Sequence, residues 1–217
     1  MKSLTNEEIT MLRVDYTLKE FDEKDVADNP IEQFRTWFTE AVDAHVNEPN
    51  AMTLATVKKN NTPSARIVLL KGFSDKGFTF FTNYDSHKGE QISANPNVAL
   101  VFCWLELQRQ VRIEGVISKI SEKESDAYFH SRPLGSQIGA IASPQSRIII
   151  SREVLEKEYK VLEKKLEHTQ IQRPANWGGY VVKPKLVEFW QGRTSRLHDR
   201  LEFKLNEDTW VRNRLAP

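Results

Sequence analysis

Cysteine is nearly absent: Cys103 is the only one in 217 residues, so no internal disulfide can form. Long apolar runs are missing as well. The longest, Val98 to Leu105, has eight residues, against about 20 for a membrane-crossing helix. The opening MKSLTNEEIT carries no apolar core of a secretory signal. Neither sign of charge dominates, with 31 Lys and Arg against 30 Asp and Glu and a formal net charge of +1. That argues against a globally basic nucleic-acid binder and leaves local basic sites open. What is present is a soluble, core-forming composition, 39% hydrophobic and 28% charged, with a mean hydropathy of −0.54. A cytoplasmic enzyme or binding protein, with no nucleic acid or membrane partner, fits these bounds.

Several signatures are lacking too. There is no GxGxxG and no GxxxxGK[ST], so the common dinucleotide and P-loop phosphate cradles are absent. The histidines at 45, 87, 130, 168 and 198 show no HExxH or zinc-finger spacing, and no metal site is expected. No GxSxG elbow occurs. Hydrolase triads and metal catalysis therefore fit poorly.

Residues 1–28 are polar with scattered hydrophobes (Leu12, Tyr16, Phe21) and read as a mobile arm that orders on a ligand. Asn29 and Pro30 then suit the cap and first position of a helix, and Ile31, Phe34, Phe38, Ala41 and Val42 recur at helical spacing. From residue 51 to about 120, AMTLATV, ARIVLLK, GFTFFTN, NVALVFCWL and RQVRIEGVISKI read as strands split by turn-rich stretches. Their spacing predicts an antiparallel sheet or barrel rather than strand–helix–strand units. Short helices are expected at 86–94 behind Ser86 and from Ser121, where Ser121-x-x-Glu124 reads as a capping box. Leu155, Tyr159, Leu162 and Leu166 mark a helix at 152–167 whose stripe packs on the core. GGYVVKPKLVEFWQG and RLEFKL add two strands, so residues 29–217 are expected to form one domain, mainly β with flanking helices.

Polar residues on this apolar frame are the candidates for chemistry. Arg66 and Lys71 differ in parity, so on one regular strand they point to opposite faces. Taken alone, they also fit solvated strand ends. Ser86, His87 and Lys88 stand at a helix start, where free N–H groups and a cation suit an anion, or where Ser86 is a simple cap. Gln110, Arg112 and Glu114 share one strand face. Tyr128, Arg132, Ser136, Gln145 and Ser146 crowd what reads as a loop-rich stretch, and hydroxyls around a guanidinium suit a phosphate. Trp190 is followed closely by Arg193, Arg196, His198 and Arg200, a set suited to an anionic or flat, electron-poor ligand.

The strings RIVLLK, QVRIEG, YFHSRP, SQIGA, WGGY, FWQGRTSRLHDR and the terminal RLAP resemble, in the same order, the pyridoxine (pyridoxamine) 5′-phosphate oxidase family. The similarity runs from about residue 10 to residue 217. It implies a split β-barrel homodimer with FMN bound between two subunits. The implied reaction takes pyridoxamine 5′-phosphate or pyridoxine 5′-phosphate to pyridoxal 5′-phosphate, with O₂ as acceptor and H₂O₂ as product. A flavin-binding module or a flavin reductase of the same fold with a different substrate is the alternative.

Carried over by position, FMN contacts fall on Arg66, Ile67, Val68, Leu69, Leu70 and Lys71, on Phe81 and Thr82, and on His87 and Lys88. They continue at Gln110, Gln145, Ser146, Trp190 and Arg200. Lys71, Tyr128, Arg132 and Ser136 fall at the substrate phosphate, Arg196 and His198 against the pyridine ring as the catalytic pair, and Arg13 and Tyr16 in the arm that closes over the substrate. Two positions depart from the family pattern: His87 where an arginine is common, and Phe81 where a tyrosine is frequent.

Overall fold

The computed structural model describes residues 5–12, 14–167 and 169–217. The chain divides into two compact units. The first gathers the chain up to Pro49 with Cys103–Arg112 and Val187–Pro217, and the second holds Asn50–Phe102 and Ile113–Leu186.

The second unit is built on strands β1 (Ala51–Val57), β2 (Pro63–Leu69), β3 (Gly72–Ser74) and β4 (Gly77–Asn83), with most of β5 (Asn97–Trp104), β6 (Arg109–Lys119) and β7 (Trp177–Gln191). Their order is β2-β1-β5-β6-β7-β4-β3. The antiparallel register sets Thr53 opposite both Ile67 and Val101, and Phe81 opposite Gly179. Period-two alternation explains the packing. Met52 and Leu54 of β1, Phe78 and Phe80 of β4, and Leu100 and Phe102 of β5 are fully buried. The intervening residues, Phe81 among them, are left half-buried on the other face.

Helix α3 (His87–Ala94) starts where the sequence places it, with the buried Ser86 hydroxyl accepting from the Gly89 N–H. Helix α4 (Glu122–Ser131) carries the expected capping box between Ser121 and Glu124. Helix α6 (Arg152–Leu166) lays Tyr159, Leu162 and Leu166 against a cluster of Phe129, Ile138, Ile171 and Trp177, as its stripe predicts.

The stretch read as loop-rich differs. Tyr128 lies on α4, and Ser136 lies on α5 (Leu134–Ala142). Gly135 and Gly139 weaken the local helix signal, but tertiary packing overrides it: Gln137, Ile138 and Ala142 are buried along one side of α5.

In the first unit, α1 (Asn6–Thr10) is followed by α2 (Pro30–Asp43), which opens on Pro30 with the Asn29 carboxamide accepting from the Ile31 N–H at 2.7 Å. Phe34, Trp37 and Ala41 are buried along α2. Val42, expected on that face, is 47% exposed. At roughly 100° per residue the buried stripe runs through Phe34, Ala41 and Trp37, and Val42 stands about 100° from Ala41, on the side away from Trp37. The remaining strands are β8 (Asp199–Asn206), which pairs with β7, and β9 (Thr209–Arg214), which pairs antiparallel with β8. The sequence reading missed β9. TWVRNR has no fully buried position, so it lacks the alternation that marked the other strands.

Candidate active site

In the second unit β2, β4, α4 and α5 surround a cavity of about 510 Å³. Of the sequence-predicted residues, it gathers Ile67, Val68, Leu69, Lys71, Phe81, Thr82, Lys88, Tyr128, Arg132, Ser136 and Gln145. Pro133 and Trp177 complete its lining and were not singled out in the sequence.

One wall is aromatic. Phe81 stacks on Tyr128 at 3.7 Å between ring centroids and 19° between planes, and Tyr128 lies within 3° of parallel to Trp177. The other walls are cationic. Lys71, Lys88 and Arg132 all line the cavity, and no carboxylate does so among the described residues.

Arg132 sits just past the last turn of α4, with its guanidinium 4.5 Å over the Trp177 ring. Its Nη1 is buried and has no hydrogen-bond partner among the described residues, and burial pushes the guanidinium pKa down. A buried donor left open beside two lysines is a costly arrangement unless an anion completes it. Lys88 donates from Nζ to Gln145 Oε1 at 2.8 Å and Thr82 Oγ1 at 3.2 Å. Burial, seconded by the charge of Arg66, pushes the Lys88 pKa down to about 8.

Four predicted contacts of the second unit lie off this lining. Arg66 on β2 donates to Leu54 O, Thr56 Oγ1, Ser64 Oγ and Gln91 Oε1 at 2.6–3.1 Å. His87 is exposed and borders a separate concavity with Lys58, Lys59, Glu90 and Gln91. Leu70 is buried in the sheet. Ser146 follows Gln145 with a left-handed φ of 70°.

The first unit holds a second cavity, of about 690 Å³, lined by Leu12, Val14, Asp15, Tyr16, Trp190, Arg193, Ser195, Arg196 and His198. Tyr16 meets both Trp190 and His198 edge-on at 5.8 Å. Gly192 permits this, because a Cβ there would stand 2.7 Å from the Tyr16 ring. The Arg193 N–H donates to His198 Nδ1 at 3.1 Å, which leaves the ring proton of the neutral imidazole on Nε2. Burial and the charge of Arg196 push the His198 pKa down, against the opposing pull of Asp199. Ser195 and Arg196 both adopt left-handed φ, 55° and 60°, which non-glycine residues hold at a cost. Arg13, the other predicted arm residue, lies outside the described residues.

Gln110 on β6 is half-buried, as is Trp190 on β7. Arg200 on β8 donates from Nε at 2.7 Å to Glu188, a β7 residue only 2% exposed and absent from the sequence-derived candidates. Arg112 binds the other carboxylate oxygen through Nε and Nη2. Burial alone would push the Glu188 carboxyl up, but the two guanidiniums outweigh it and hold it below the ordinary carboxylate value.

Comparison with solved structures first defines the class. The chain superposes with a TM-score of 0.68 on a pyridoxamine 5′-phosphate oxidase-related, FMN-binding protein from Nostoc punctiforme, at 18% identity over 85% of this chain and 97% of that one. It superposes at 0.87 on PhzG from Burkholderia lata, solved with tetrahydrophenazine-1-carboxylic acid, at 28% identity over 92% and 98%. The architecture is that of the FMN-binding split barrels. Residues 38–165 match the pyridoxamine 5′-phosphate oxidase family, and residues 177–217 match the pyridoxine 5′-phosphate oxidase C-terminal dimerisation region. A pyridoxine/pyridoxamine 5′-phosphate oxidase of Cyanothece sp. is 54% identical over 96% of this chain and 98% of its own length. The chain therefore belongs to the pyridoxamine 5′-phosphate oxidase family and is an oxidoreductase.

Proposed function

We propose that the protein oxidises pyridoxamine 5′-phosphate or pyridoxine 5′-phosphate to pyridoxal 5′-phosphate, using FMN and O₂ and releasing H₂O₂, with the amine also consuming water and releasing ammonia. It does so as a cytoplasmic homodimer whose subunits share the cofactor. The observation that carries this reading is the cavity of the second unit, where Arg132 Nη1 is buried without a partner among lysines and no carboxylate. Such a set fits phosphate esters, which both FMN and the substrate carry.

FMN, when bound, supplies the hydride acceptor and the route of the electron pair to O₂. The protein's own task is binding, orientation and proton placement. Arg132, Ser136 and Lys71 hold the substrate phosphate, and Lys88 with Thr82 and Gln145 holds the cofactor. The stacked rings of Phe81, Tyr128 and Trp177 keep water from that wall. His198, with Nδ1 occupied by the Arg193 N–H, offers Nε2–H as a donor to the substrate ring. Arg196, in the same cavity, would hold the polar substituents of that ring and so orient C4′ toward the hydride acceptor.

The rival reading, a flavin module or a reductase of another substrate, has no use for a second phosphate-binding set at Lys71, Tyr128, Arg132 and Ser136. The decisive experiment incubates the flavin-loaded protein with each substrate in air and follows pyridoxal 5′-phosphate and H₂O₂. Both products are expected in equal amounts from at least one substrate. A fully flavin-loaded protein that forms neither product overturns the reading.

A further inference from the structure

We propose that Glu188 and the backbone carbonyl of Ala216 form a clamp that fixes Arg200, making Glu188 a positioning residue and the C-terminal tail a working part of the cofactor site. The inference rests on the reading above, in which Arg200 contacts FMN.

Arginine has a long side chain and loses much rotamer freedom when its planar head is held in one place. Two of the three Arg200 nitrogens are occupied. Nε donates to Glu188 Oε1 at 2.7 Å, and Nη1 donates to Ala216 O at 2.8 Å. The tail is itself tied to the same residue, because the Leu215 N–H donates to the Arg200 carbonyl at 2.9 Å. Of the three, Nη2 alone has no hydrogen-bond partner among the described residues. The head can present that nitrogen to a ligand and cannot swing away.

The charges point the same way. Glu188 is 2% exposed and faces two guanidiniums, so the trio of Arg112, Glu188 and Arg200 carries one positive charge in excess, with Glu202 also acting on Arg200. A buried ion group of this kind adds little stability over well-packed apolar side chains. Its use lies in where it puts the arginine.

The test measures FMN affinity of the apoprotein by quenching of flavin fluorescence, a reading that needs no turnover. Glu188→Gln is expected to raise the Kd for FMN about tenfold. Truncation after Arg214, which frees Nη1 and leaves Glu188 untouched, is expected to raise it several-fold. The discriminating measurement is a double-mutant cycle. In an Arg200→Ala background, Glu188→Gln and the truncation are each expected to add no further loss, because both act through Arg200. A merely structural role would give losses that add in that background, and this result overturns the proposal. So does an unchanged Kd in the truncated protein, which decides the matter even where Glu188→Gln fails to fold. Wild-type apoprotein that takes up no FMN overturns the functional reading itself, and with it the clamp.

Discussion

At the residue scale the two arginines nearest the proposed substrate should fail in different ways. Arg132 holds a buried, unpartnered nitrogen in an otherwise cationic cavity. Losing a charge-assisted contact to phosphate costs roughly 1.5–3 kcal/mol, or about ten- to over a hundred-fold in affinity. Arg132→Ala is therefore expected to raise KM by that factor while kcat changes little and the flavin stays bound. Loss of the Arg132 contact with the Trp177 ring should lower the melting temperature only modestly, since such a contact is worth about 0.5–2 kcal/mol. Arg196→Ala should instead lower kcat at saturating substrate. Steady-state kinetics on both variants, with flavin content read from the visible band, checks the pair. Flavin loss from Arg132→Ala with normal turnover in Arg196→Ala would reverse the assignment.

Lys88 supports a prediction with a definite sign. Its pKa is pushed down to about 8 by burial and by Arg66, so the free protein loses this charge as pH rises through 8. A phosphate loses a cationic partner there, and FMN affinity should fall between pH 7 and pH 9.5. Lys88→Arg keeps the charge throughout and should flatten the profile. Fluorescence titration of both apoproteins decides it, and identical slopes would show that Lys88 does not carry the effect.

Which residues were legible follows from how far apart their partners are in the chain. The parity argument for Arg66 and Lys71 assumed one regular strand, but β2 ends at Leu69, so Lys71 is placed by the turn that follows. Trp177 carries no charge and reads as a strand end, so only its stacking on Tyr128 and its contact with Arg132 bring it to the cavity. Glu188 lies in the strand GGYVVKPKLVEFWQG with no local sign of a partner. It is buried because Arg112, 76 positions earlier, and Arg200, 12 positions later, both reach it.

At the element scale, the sequence marks those elements whose burial is periodic. β1 alternates along its whole length, and its boundaries match the expected run at 51–57. Helix α5 and strand β9 were missed because the first carries two glycines and the second has no fully buried face. Local signals at helix starts read well, and they carry measurable energy. Removing the Asn29 cap of α2 as Asn29→Ala should cost about 1 kcal/mol, seen as a lower midpoint in urea with an unchanged m value. Loop glycines matter differently. Gly192→Ala would push a methyl to 2.7 Å from the Tyr16 ring, so Tyr16 must leave its place beside Trp190 and His198. Substrate KM is expected to rise in this variant, while FMN affinity measured on the apoprotein stays within about twofold of wild type. An unchanged KM would show that the seat of Tyr16 has no part in catalysis.

At the scale of the whole molecule, the residues proposed for the cofactor are scattered along the chain from Arg66 to Arg200. No single motif could have announced such a site, which is why the sequence showed scattered cations rather than a fingerprint. The family match at residues 177–217 is to a dimerisation region, and that segment carries Trp190, Arg196, His198 and Arg200 together with the tail that holds Arg200. If one stretch both joins two subunits and supplies cofactor contacts, dimerisation and FMN binding must be linked. Ligand that binds only the dimer stabilises the dimer by mass action. Sedimentation at micromolar concentration should therefore give about twice 25.1 kDa for the flavin-loaded protein. On dilution, the apoprotein should dissociate at a higher concentration than the loaded form, and adding FMN should restore the dimer. A chain that sediments as a monomer while retaining a full complement of FMN would refute the shared site. Equal dissociation constants with and without FMN would show that the C-terminal segment serves assembly and cofactor binding independently.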